Sequence, residues 1–307
     1  MTQKITTDDA DCSSKISETS IRNHILRLQG EKHPEHSPLA LKKAGTDIAT
    51  QMQLAGLQSH NHPIPDVDAM GDACFNVIGT LLKEDPQKPV LLIGAHYDTV
   101  VGSPGADDNT SSLAVLLEVA RVTSPLFQNK AATLRPQFVA FSLEEPGFVG
   151  SRDYVQNLEK TSDVIFGAII LECVGYTDHR SGSQKTPPGL PISLPDRGNF
   201  IGLLGNTQAA PITKAFEAAT KYAAPDLPHI SLILPKAAEL IPDVRRSDHV
   251  PFWDKNLPAV MITDTANFRN PHYHQASDTI DTLDIPFITK IARTLAGTVI
   301  DLAGLER

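Results

Sequence analysis

Five places along this chain set carboxylates or imidazoles at the end of an apolar run. The run LLIGAH leads into YDTVVGSPGADDNTSS, so that His96, Asp98, Asp107 and Asp108 share one Gly-containing stretch. FVAFSL is closed by Glu144 and Glu145, and GAIIL by Glu172. RRSDHVPF holds Ser247, Asp248 and His249, and NPHYHQASDT holds His272 and His274. A carboxylate withdrawn from water without a partner is costly. These groups therefore belong at the carboxyl ends of strands, where open α/β sheets hold their ligands. One such strand end is unremarkable; five of them point to a shared polar site.

Imidazoles and carboxylates without neighbouring thiolates suit a borderline divalent ion such as zinc. His96, Asp108, Glu145, Glu172 and His274 make a set too large for one catalytic zinc that keeps an open position. The set suits two ions that share a carboxylate. Other polar residues have plainer roles: Asp107 and Asp108 precede a helix that they can cap, and Asp248 and His249 hold their loop. His33, His36, His60 and His62 follow no zinc-binding spacing and are expected at the surface.

The elements that must position these groups are legible from periodicity. SETSIRNHILRL predicts a helix with Ser17 and Thr19 as candidate N-caps, and residues 38–56 a second one. Strands are expected at 74–82, 90–96, 136–143, 164–172, 229–234 and 258–264, with helices at 111–122, near 211–222 and at 285–304. Near-continuous apolar strands alternating with helices predict an α/β/α three-layer sandwich with a mixed, mostly parallel sheet. Residues 1–17 are polar and expected to be disordered, and 18–307 to form one catalytic domain. The Pro-, Gly- and Ser-dense stretch 181–198 is expected to be a surface flap that borders the site.

Composition narrows the partners. With a formal net charge of −9 and 41% hydrophobic residues over 307 residues, the chain has neither a basic stripe for nucleic acid nor a membrane-spanning run. Three cysteines without a CxxC exclude a disulfide scaffold and leave at most one pair. Few cysteines and no apolar leader favour a cytoplasmic location.

The motif order AHYDTV, GADDNTSS, EE with GFVGS, LECVGY, SDHVPF and HYHQASDT resembles the co-catalytic di-zinc aminopeptidases, metallopeptidase family twenty-eight, over roughly residues 20–305. That family also holds glutamate carboxypeptidases, glutaminyl cyclases and a metal-free receptor. The resemblance implies a zinc-exopeptidase fold, two zinc ions per chain and peptide substrates with a free N-terminus. It makes His96, Asp108 and Glu172 the ligands of one zinc and Asp108, Glu145 and His274 those of the other, with Asp108 bridging. It makes Glu144 the general base for a zinc-bound hydroxide, has Asp98 accept the ring N–H of His96, and demotes Asp107 to support. Two positions depart from the family pattern: Glu172 stands where Asp is usual, and Val244 where some members carry a Tyr that stabilises the oxyanion. Tyr273 is the candidate substitute, with Arg245, Arg246 or His249 as further candidates. Other amide chemistry on the same scaffold (carboxypeptidase, amidohydrolase or glutaminyl cyclase) and a non-catalytic binding module are the alternatives.

Overall fold

The strands that end at His96 and near Glu144 and Glu172 are buried along nearly their whole length, as the apolar runs require. In a computed structural model, which describes residues 12–65, 73–83 and 85–306, they are β3 (Val90–His96), β4 (Arg135–Phe141) and β5 (Ile165–Glu172). They lie side by side in the order β4-β3-β5, all parallel. All three candidate groups therefore emerge at the same edge of the sheet.

Among the described residues the sheet has eight strands in the order β1-β2-β4-β3-β5-β8-β6-β7. The outer members are β1 (Leu57–Pro63), β2 (Phe75–Leu81), β6 (Ile201–Asn206), β7 (His229–Leu234) and β8 (Ala259–Thr263). β5 pairs parallel with β8 and β6 with β7, while β1–β2, β2–β4 and β6–β8 are antiparallel. Alternation along the central strands divides the core. Leu91, Ile93, Ile169 and Leu171 face one layer with α1 (Glu18–Leu28), α2 (Pro38–Leu54), α3 (Ser112–Asn129), α5 (Ala210–Ala223) and α7 (Ile285–Leu302). Leu92, Ala168 and Ile170 face the other, with α4 (Val149–Leu158) and α6 (Val250–Asp254). This is the three-layer α/β/α arrangement with a mixed sheet. No helix among the described residues is long and apolar enough to cross a membrane.

The first helix begins as its cap residue dictates, with the Ser17 hydroxyl accepting from Ser20 N at 3.2 Å. β1, β6 and α4 carry no clear signal in the sequence. β1, LQSHNHP, is a polar edge strand, and α4, VGSRDYVQNL, offers few apolar residues to the core. α3 runs through Pro125 to Asn129, beyond the end expected at 122.

Two expectations are corrected. Residues 1–11 lie outside the described residues, but 12–17 are packed rather than disordered. Cys12 and Ile16 are buried, the Cys12 thiol donates to Val122 O, and Arg121 and Arg293 donate to Lys15 O and Ile16 O. Two apolar residues four apart suffice to seat this polar stretch on α3 and α7. The one cysteine pair left open does not form either: no disulfide joins Cys12, Cys74 and Cys173, each buried at a different place.

Ile16→Ala should destabilise the protein by about 2–5 kcal/mol, as for other buried aliphatic truncations. Urea denaturation reads this directly. An unchanged midpoint would mean that the segment contributes nothing to the core.

Candidate metal centre

His96 closes β3 with 1% of its surface exposed. Its Nδ1 lies 3.2 Å from the backbone oxygen of Asp98, and the Asp98 carboxylate is farther, at 3.6 Å. The Asp98 carboxylate therefore faces the same ring nitrogen as its backbone oxygen. It also braces the next strand end, with Oδ1 accepting from Glu144 N at 3.0 Å and Oδ2 from Glu145 N at 3.2 Å. Asp98 thus holds the turn after β4 in place while its backbone orients His96.

Asp108 enters on the irregular turn Ala106–Ser111 that opens α3. Gly105 before it has φ +62°, and a Cβ there would stand 2.5 Å from Asp108 O, so only glycine fits. Asp278 fastens the same turn by accepting from Asp107 N at 2.9 Å and Asp108 N at 3.2 Å. Asn109 reaches across to β5, donating to Leu171 O and accepting from Cys173 N. Glu172 ends β5, and its Oε2 accepts from the Ser247 hydroxyl at 2.8 Å.

These elements bring two triads together, one of His96, Asp108 and Glu172 and one of Asp108, Glu145 and His274, each with its potential ligand atoms within 4.8 Å of one another. Asp108 belongs to both. Its Oδ1 is 3.2 Å from His96 Nε2 and its Oδ2 3.0 Å from His274 Nε2. Glu172 Oε2 lies 3.4 Å from His96 Nε2, and Glu145 Oε2 3.3 Å from His274 Nε2. Glu144 stands just outside both triads, its Oε2 4.0 Å from His96 Nε2.

The donor set fits a divalent cation. His96 Nε2, His274 Nε2 and Asp108 Oδ1 are inaccessible to solvent and lack a hydrogen-bond partner. Buried polar atoms are seldom left so. Charge leads to the same place. Burial pushes Glu145 up to about 7, with the Asp108 charge adding to it. Burial also raises Glu144 well above the carboxylate range, helped by Glu172, Asp248 and Glu145 and opposed by His96. Burial would lower His274, yet the facing Asp108 and Glu145 carboxylates lift it to about 10. A bound cation would neutralise this acidic surplus. Three non-glycine residues with left-handed backbone flank the set: Leu143 (φ 61°) before Glu144, Cys173 (φ 49°) after Glu172, and His274 itself (φ 60°). Each costs about 1–3 kcal/mol and persists only where the surroundings impose it.

The remaining candidates separate clearly. Asp107 is fully buried below the centre, accepting from Gly175 N, the Ser111 hydroxyl and Asn270 Nδ2. Burial, and then the neighbouring Asp264 carboxylate, push its pKa well up. Asp248 accepts from the Ser151 hydroxyl at 2.5 Å, and His249 meets Val244 O at 2.8 Å with its ring edge-on to Trp253. Both hold their loop. The buried His249 and Arg245, paired to Asp254, are turned away from the oxyanion role. Tyr273 stacks on His274 at 3.9 Å, with the Arg246 guanidinium 5.9 Å from its ring. His272 meets the Ser277 hydroxyl, and His33, His36, His60 and His62 lie apart from both triads. Beside the centre runs an apolar groove bounded by Glu172, Tyr273 and Arg246, by Met261 of β8, and by Leu190 and Ile192 of the 181–198 flap.

Asp278, Asn109, Asp264 and Asn270 carry no isolated signal in the sequence. Asp278 lies next to the end of the motif HYHQASDT, but the amides it serves lie about 170 positions away. Asp278→Ala should weaken divalent-ion binding about 10- to 100-fold, the usual consequence of losing a group that orients ligands. Competition with a fluorescent chelator measures this; unchanged affinity would show that the loop needs no such support.

Comparison with known proteins identifies the family. A model of peptidase family M28 matches residues 76–299. The chain is 35% identical over 248 residues to uncharacterized protein YfbL of Escherichia coli K12, covering 76% of this chain and 72% of that protein. It is 30% identical over 220 residues to aminopeptidase YwaD of Bacillus subtilis, covering 67% of this chain but only 40% of the length of that enzyme. In fold it is similar to the Legionella pneumophila aminopeptidase LapA, with a TM-score of 0.74 at 18% identity over 96% of this chain and 74% of the other. The family match runs from β2 through most of α7 and contains every residue of both triads, and on that ground the chain belongs to peptidase family M28.

Proposed function

We propose that this chain is a zinc aminopeptidase that holds two metal ions and removes apolar residues from the N-termini of peptides. The carrying observation is Asp108, whose two carboxylate oxygens each face a different histidine at 3.2 and 3.0 Å, each histidine having its own second carboxylate. On this reading His96, Asp108 and Glu172 hold one ion, and Asp108, Glu145 and His274 the other. Zinc bound there supplies Lewis acidity, which activates water near neutral pH and polarises the scissile carbonyl.

Glu144 is the general base. It lies outside both ligand sets, and Asp98 fixes its backbone through the 3.0 Å hydrogen bond to Glu144 N. Standing beside the ligand sets, 4.0 Å from His96 Nε2, it takes a proton from water and returns it to the leaving amine. Tyr273 is the donor to the developing oxyanion. Burial, and then the Asp108 charge, raise its phenol pKa, so it stays protonated and able to donate. The groove takes the side chain of the N-terminal residue against Leu190, Ile192, Leu204, Leu232 and Met261. The Glu172 carboxylate that borders the groove favours a substrate α-ammonium, which restricts cleavage to the first residue.

Glu144→Gln should retain fold and bound metal while turnover of a leucyl chromogenic substrate falls by about 10²–10⁴-fold. Full activity in this variant would remove Glu144 from the mechanism. Metal analysis should find two zinc equivalents per chain and one in His274→Ala; one in the parent would overturn the shared-carboxylate reading. An N-acetylated substrate should not be cleaved, and its cleavage would exclude aminopeptidase chemistry.

A further inference from the structure

The flap that forms one wall of the groove has little regular structure, so something outside it must hold it. Between Asp178 and Gly198 it is closed on itself at the neck. Asp178 N donates to Gly198 O, Gly198 N to the Ser183 hydroxyl, and Gly182 N and the Ser181 hydroxyl to the Asp196 carboxylate. Those bonds shape the loop without fixing it against the sheet. Its polar attachment to the sheet side is concentrated at Gln184 and Lys185. Lys185 N donates to Phe268 O at 2.9 Å, Gln184 Nε2 donates to the Thr265 hydroxyl at 2.9 Å, and Gln184 Oε1 accepts from Arg269 Nε at 2.9 Å.

Arg269 is itself built in. Only 6% of its surface is exposed, Nη1 donates to Tyr176 O at 3.2 Å, and the guanidinium stacks over Phe200 at 4.6 Å. Phe200 and the flap residues Pro187, Leu190, Ile192 and Leu194 line the same groove. Gly198, at the flap's far end, leaves room for the arginine stem: a Cβ there would stand 2.6 to 2.8 Å from Arg269 Cγ, Cδ and Nε. Burial disfavours the guanidinium charge, and the neighbouring Asp264 and Asp107 offset part of that cost.

We infer that Arg269, acting through Gln184, is a positioning residue that sets the apolar groove: it clamps the 178–198 flap against the turn after β8 and thereby fixes the wall against which the substrate's N-terminal side chain packs. The inference rests on the aminopeptidase reading for its substrate and on hydrogen bonding and packing for its clamp. A large side chain reaches the flap wall and an alanyl methyl does not. Loosening the clamp therefore penalises binding of large apolar residues and leaves the reacting atoms untouched.

The test uses Gln184→Ala, which cuts the link without disturbing the buried charge, beside Arg269→Met and Gly198→Ala. In Gln184→Ala, KM for a leucyl p-nitroanilide should rise about tenfold with kcat within about twofold, while KM for the alanyl analogue stays within about twofold. Limited trypsin digestion of the whole protein should cut after the exposed Lys185 at least about fivefold faster in all three variants. Digestion at the parental rate in Gln184→Ala and Arg269→Met would overturn the clamp, and so would an equal loss of kcat on both substrates. If neither substrate is turned over by the parent, the aminopeptidase reading fails while the digestion rates still decide the clamp.

Discussion

Everything around the centre answers to the cost of gathering Asp108, Glu144, Glu145 and Glu172 within a few ångströms of two imidazoles at the end of a buried sheet. Coulomb repulsion among carboxylates is strong where water is excluded, so the cluster persists only if donors and cations are supplied. The backbone supplies some donors. Asp98 and Asp278 organise the turns that carry the cluster by each accepting two successive amides, at residues 144–145 and 107–108. Asn109 and the Ser247 hydroxyl secure the end of β5. What they leave unsatisfied is the set of inward atoms on His96, Asp108 and His274. That remainder is the physical argument for metal, and it does not depend on any family resemblance.

The sheet makes this concentration possible. Three adjacent parallel strands deliver His96, the 144–145 turn and Glu172 to one edge, and the antiparallel margins on either side close the layer without adding to the two triads. The backbone is forced into left-handed conformations where the chain leaves this edge, at Leu143 and Cys173, and again at His274. The fold therefore gives up stability next to the residues that would do the chemistry, a common association between strain and function. The groove is built on the same plan. Its floor comes from β6 and β8 and its wall from a flap with no sheet of its own, held by a buried arginine.

Much of the fold and the site is legible along the chain. The central strands, the long helices and the Ser17 cap follow from apolar periodicity and cap chemistry, both local properties. The strand ends that carry the candidate donors are legible too, while the choice of Asp108, Glu145 and His274 over their neighbours comes from the family resemblance. Elements with weak local signals are not legible: β1 is an edge strand whose polar residues face solvent, and α4 buries only one side of a polar helix. The N-terminal stretch reads as disordered because Cys12 and Ile16 find their partners on α3 and α7, more than 100 and 270 positions away.

The sequence by itself determined which groups are present and that they sit at the ends of apolar strands, because an unpaired carboxylate cannot be buried inside a strand. Tertiary structure alone decided how those groups divide the work. Asp98 serves Glu144 and Glu145 as well as facing the His96 ring, His249 turns inward to Val244 O, and Arg269 reaches the flap. Each of these outcomes depends on the direction of a side chain and on partners brought close only by folding. Spacing along the chain specifies distance in sequence, whereas hydrogen bonds and charges act over a few ångströms in space.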